Sequence, residues 1–74
     1  MAVYSTSIHG HTVKYDDESK HGMSYLKNDL SGSEGRVFFD EAKRRGFAEF
    51  EDDEDRQFTL VYQNGAYIIT RRHS

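Results

Sequence analysis

Apolar and polar residues alternate most cleanly in the last third of the chain. Phe58, Leu60 and Tyr62 fall on one side of an extended segment, and Thr59 and Val61 fall on the other, the period of two expected of a strand. Asn64-Gly65 follows, the strongest short hairpin signal, because these residues accept positive φ. A two-residue turn there pairs Gln63 with Ala66, Tyr62 with Tyr67, Val61 with Ile68, and Leu60 with Ile69. One face then carries Phe58, Leu60, Tyr62, Tyr67 and Ile69, and the other carries Thr59, Val61, Ile68 and Thr70.

The preceding segment GFAEFE reads as a further strand, and the run EFEDDED sets its register. A loop of even length would place Glu49 opposite Phe58, burying a glutamate and exposing Phe50. An odd loop from Asp52 to Arg56 places Phe50 opposite Phe58 and Ala48 opposite Leu60, with Glu49 and Glu51 on the far side. A slip of one residue inverts every side chain, so the odd loop is predicted.

Upstream, SGSEGRVFFDEAKRRG predicts a helix. Ser31 and Glu34 have capping-box spacing, Gly46 supplies a left-handed stop, and Lys43, Arg44 and Arg45 suit the negative end of the helix dipole. Phe38, Phe39 and Ala42 share its apolar face, while Val37 lies well round toward solvent. Gly35 costs helix propensity, which points to a fraying first turn or the close approach of another backbone. At the N-terminus, AVYSTSI and TVKYDD read as two strands joined at His9-Gly10, with Thr6 opposite Val13 and Tyr4 opposite Tyr15. DESKHG is polar and reads as a loop, and MSYLKNDL carries Met23, Leu26 and Leu30 at a spacing that suits one or two helical turns.

The expected fold is α+β: one main helix (about 32–45) on one face of an antiparallel sheet. A C-terminal meander (about 47–51, 57–63, 66–72) forms most of that sheet, with an N-terminal strand or hairpin (about 2–8, 12–16). The 74 residues make one domain near the lower size limit for a self-sufficient core. Without cysteine or proline, and with 31% charged residues, the core must rest on the five Tyr and five Phe. The thin margin invites added stability from a homodimer or another partner.

Charge and motif content narrow the function classes. A net charge of −3 disfavours a typical nucleic-acid binder. No apolar run is long enough to span a bilayer, and the first residues lack the pattern of a signal peptide, so a cytoplasmic protein without a membrane role is expected. No cysteine nucleophile, serine-based triad or phosphate loop is present, and the paired carboxylates lie in an exposed acidic run. The expectation is a non-enzymatic protein that needs no cofactor.

Three surfaces remain as candidates. The acidic run Glu49, Glu51, Asp52, Asp53, Glu54 and Asp55 fails the calcium-loop pattern, with Phe58 where glycine is required and Asn64 where glutamate is required. Its role is then a solvated hairpin tip or a docking point for a basic protein. His9 and His11 share a side if their backbone is extended, and with His21 or Asp16 they offer a weak zinc or nickel site lacking any recognisable second ligand pair. Lys43, Arg44 and Arg45, with Arg71, Arg72 and His73, form one basic patch for RNA or DNA if both chain segments end at the same pole. The second sheet face is the most informative. Phe47, Val61 and Ile68 fall together there, beside Glu49 and Glu51. One helix cannot cover both faces, so either the N-terminal segment folds over this patch or another protein does. The leading expectation is therefore a small regulatory or adaptor protein that binds a partner through this face and the acidic hairpin.

Overall fold

The structure, a computed structural model, describes residues 2–72. Five strands form one sheet in the order β1-β2-β5-β4-β3: β1 (Val3–Ile8), β2 (His11–Asp16), β3 (Phe47–Glu51), β4 (Gln57–Gln63) and β5 (Ala66–Arg72). Neighbours are antiparallel except β2 and β5, which run parallel. Two helical segments lie between β2 and β3. The first runs from a 3-10 turn (Asp17–Ser19) through α1 (Lys20–Ser24) into a π turn (Tyr25–Asp29), and the second is α2 (Gly32–Arg45).

The registers follow the turn chemistry. Asn64 and Gly65 both adopt positive φ, and every pairing expected around them is present. His9 and Gly10 do the same at the first hairpin, with Thr6 opposite Val13 and Tyr4 opposite Tyr15. The odd loop is also present, since Phe50 pairs with Phe58 and Ala48 with Leu60. Helix α2 begins with a complete capping box between Ser31 and Glu34 and ends at Gly46, whose φ is 94°.

Both helical segments cover one face of the sheet. Phe39 and Ala42 from α2 and Leu26 from the first segment are fully buried with Ile8, Val13, Ala48, Phe58, Leu60 and Ile69. Aromatic contacts knit this layer together: Phe50 stacks on Phe58 with centroids 5.4 Å apart, and Tyr67 meets Phe39 edge-on at 4.8 Å. Val37 stays 64% exposed on the outer side of α2, as its place on the helical wheel demands.

Two expectations change. DESKHG is helical rather than a loop. Asp16 caps it, its carboxylate accepting the Ser19 amide at 3.0 Å; Asp17, Glu18, Lys20 and His21 then face solvent, while Ser19 is fully buried. Gly22 is what allows contact with the sheet, because a Cβ there would lie 2.8 Å from the ring of the fully buried Phe58. Gly35 is indeed a point of close approach, but the neighbour is a side chain. A Cβ at Gly35 would come within 3.1 Å of the His9 ring.

Candidate protein-binding surface

The other face of the sheet carries no helix. The pairings set Phe47, Val61, Ile68, Lys14 and Ser5 in one row that crosses all five strands. Strands in a sheet lie about 4.8 Å apart, so the first three side chains form a contiguous apolar ridge. Phe47 is 39% exposed, Val61 and Ile68 are half-buried, and Val3, on the same side of β1, is 69% exposed. The N-terminal hairpin does not fold over this ridge. It joins the edge of β5 and widens the sheet, placing Val13 and Tyr15 on the helix-covered side.

Charged groups border the ridge. Arg72 reaches diagonally across the strands to Glu49, with Nη1 2.7 Å from Oε2. Arg45 lies over the ring of Phe47 at 4.9 Å while its guanidinium also approaches Glu41 at 3.6 Å. Glu51, Asp53 and Asp55 are exposed and have no ion-pair partner among the described residues.

The acidic run is therefore not one uniform surface. Asp52 is 8% exposed and organises the β3–β4 loop. Its Oδ1 accepts the amides of Glu54 and Arg56, each at 3.0 Å, and its Oδ2 receives Arg56 Nε at 2.6 Å. Burial pushes the Asp52 carboxyl up, but the Arg56 side chain and these two amides outweigh it and hold it below the usual range. Asp52 is a structural cap unsuited to docking, because it is buried and both of its oxygens are engaged within the loop. Asp53 points the other way, toward Asp29. The hydrogen bond between the two carboxyls, then slight desolvation and the charges of Asp29 and Asp52, raises its pKa. Asp53, Glu54 and Asp55 remain the exposed part of the run, and Glu54 shares Arg56 at 3.2 Å.

The basic residues do not merge into one patch. Helix α2 delivers Lys43, Arg44 and Arg45 to the end of the sheet where β3 begins, and Gly46 there accepts the Tyr62 amide at 3.0 Å. Arg71 and Arg72 lie at the other end of β5, opposite Phe58 and Gln57. Arg72 is four residues from Ile68, roughly 13 Å at the rise of a strand. Strand alternation also sends Arg71 and Arg72 to opposite faces. His73 lies outside the described residues. Tyr62 and Tyr67 sit on the helix-covered side with centroids 5.0 Å apart.

The histidines part company in the same way. His9 has φ 50° and is not extended, so the spacing of two does not align it with His11. Its Nε2 lies 3.1 Å from the carbonyl oxygen of Leu26, the second residue of the π turn. His11 is half-buried, stacked on Phe39 with centroids 4.5 Å apart. His21 is exposed on α1. Among the described residues, no three His, Cys, Asp or Glu side chains are placed to hold a metal ion. A shallow concavity of about 290 Å³ on the outer side of α2 is lined by Val37, Asp40, Glu41 and Arg44.

The sequence pattern did not single out the Asp52–Arg56 lock or the outer edge of β1. Aspartate four residues before arginine across a strand-to-strand loop is a signal for the first. The absence of any charge in VYSTSI is a signal for the second. No helix among the described residues is long and apolar enough to cross a membrane. Comparison with protein-family models, with curated proteins and with solved structures gives no match to this chain.

Proposed function

We propose that this chain is a small non-enzymatic regulatory or adaptor protein that works by binding another protein through the open face of its sheet. The observation that carries this reading is the uncovered ridge of Phe47, Val61 and Ile68, bordered by charge. An apolar patch with a polar rim is the usual anatomy of a protein contact. Glu51 at the end of β3 and the exposed Asp55 in the adjoining loop favour a partner whose own apolar centre is flanked by lysine or arginine. Of the acidic run, only these exposed carboxylates take part in docking, and Asp52 holds the loop.

The experiment is affinity capture on the purified protein, followed by calorimetry with the captured partner. Ile68→Glu should leave the circular dichroism spectrum unchanged and weaken binding by at least about tenfold, since it desolvates a carboxylate at the centre of the contact. Added salt should slow association, because the exposed carboxylates steer a basic partner. Undiminished binding by Ile68→Glu sinks the proposal, as does unfolding of that variant, which would make Ile68 part of the core. Copurifying RNA that is lost in Arg71→Glu with Arg72→Glu would instead support a nucleic-acid role.

A further inference from the structure

The sheet has two edges, β1 and β3, and their chemistry differs. β3 carries Glu49 and Glu51, so pairing with its own copy would set carboxylates close to carboxylates. β1 reads VYSTSI, with no charge and no proline. It pairs with β2 without a bulge through all six positions. Soluble proteins normally blunt an edge strand with a lysine, a proline or a bulge, and β1 has none of these.

The hairpin geometry fixes which backbone groups on β1 are spare. A two-residue turn at His9-Gly10 makes Ile8 and His11 a hydrogen-bonded pair. Ile8, Thr6 and Tyr4 therefore turn their N–H and C=O groups toward β2. Val3, Ser5 and Ser7 turn theirs outward, where no strand lies among the described residues.

We infer that β1 pairs antiparallel with β1 of a second copy of this chain, about a two-fold axis at Ser5, joining two sheets into one. This register matches every outward-facing residue with another. Val3 lies opposite Ser7 of the partner subunit, and Ser5 lies opposite Ser5 of the partner subunit.

Charge favours a copy of this chain over an arbitrary strand. The same register sets Thr6 opposite Tyr4 of the partner subunit on the helix-covered side. Lys27 approaches Thr6 Oγ1 at 3.4 Å and has no ion pair among the described residues. Lys20 lies over the Tyr4 ring at 5.3 Å while approaching Asp17 at 3.6 Å, which keeps Asp17 beside Tyr4. Asp17 and Lys20 are both more than half exposed, which leaves Asp17 open to a second cation. Pairing brings each Lys27 to the Tyr4 and Asp17 of the partner subunit, twice by symmetry. A contact six residues long is small beside the roughly 1,200–2,000 Å² of standard interfaces, so the dimer should dissociate on dilution.

Cross-linking tests both the edge and the register. The chain has no cysteine, so Ser5→Cys introduces a single thiol. In the proposed register its Cα lies about 5.5 Å from its symmetry mate, within disulfide range. Ser7→Cys leaves its thiols four residues apart, roughly 13 Å along the strands. Mild oxidation should yield at least about tenfold more covalent dimer from Ser5→Cys than from Ser7→Cys. Sedimentation of the unmodified chain should show a mass rising with concentration toward twice 8.6 kDa. Ser5→Lys, which opposes two cations at the axis, should be monomeric, whereas Glu51→Lys at the other edge and Ile68→Glu on the open face should not change the equilibrium.

A chain that stays monomeric at millimolar concentration overturns the inference. So does equal cross-linking of the two cysteine variants, or a dimer that survives Ser5→Lys. Should Ser5→Lys fail to fold, the ratio of the two cross-linked yields decides the matter alone. The Ile68→Glu arm separates this dimer from docking on the open face.

Discussion

Leu60 and Val61 are neighbours on β4 and face opposite surroundings. Leu60 is fully buried beneath the helical layer, between Ala48 and Ile69. Val61, between Phe47 and Ile68, is only half-buried on a face that no helix crosses. The strands, the backbone hydrogen bonds and the twist are shared, so the two faces differ only in what packs on them. The lesson is that strand alternation divides the chain into a stabilising face and a spare one. The spare face is free for a task that the core cannot perform.

The sharpest test of that division is to truncate both neighbours. Leu60→Ala should cost about 2–5 kcal/mol, close to the whole stability of so small a domain, through lost burial and the cavity left behind. Val61→Ala should cost less than about 1 kcal/mol, since its side chain is only partly buried and no helix packs on it. Urea denaturation of the two variants checks the ratio. Equal losses would mean that the second face is covered in solution.

The acidic loop offers the same contrast between adjacent residues. Asp52→Ala removes the acceptor of two backbone amides and the partner of Arg56, and should cost about 1.5–3 kcal/mol by denaturant titration. The pH dependence has a definite sign. The folded state lowers the pKa of Asp52, so its contribution is fully present above the ordinary aspartate range. That contribution is lost as pH falls through the folded value, and Asp52→Ala should lack this part of the acid limb. Asp53 acts in the opposite sense, because its raised pKa makes protonation favour the fold and its contribution disappears as pH rises through the folded value.

A further contrast concerns how closely the first helical segment sits on the sheet. Gly22→Ala gains up to about 1 kcal/mol of helix propensity yet should destabilise the protein by roughly 1–2 kcal/mol net. The new methyl group would meet the buried ring of Phe58, which has nowhere to move. A rise in the melting temperature of Gly22→Ala would show that the segment rides higher on the sheet.

The sequence by itself determined the parts of this protein that local rules govern. Asn64-Gly65 and His9-Gly10 set two hairpin registers, Ser31 and Glu34 opened a helix, and Gly46 closed it. The parity of the loop between Phe50 and Phe58 set a third register, because the wrong choice buries a glutamate. What the sequence could not decide were the contacts between elements far apart in the chain. DESKHG has no apolar stripe of its own, and it becomes helical through the Asp16 cap and the fit of Gly22 on Phe58. The basic clusters separate because α2 and β5 end at opposite poles, and the histidines separate because a left-handed turn divides His9 from His11. Above all, only the tertiary structure decided that the N-terminal hairpin lies beside β5 and leaves the Phe47–Val61–Ile68 ridge open. The physical reason is that parallel pairing of distant strands leaves no local turn to read. Its direction is set by the burial it gains, here Val13 and Tyr15 joining the helix-covered core.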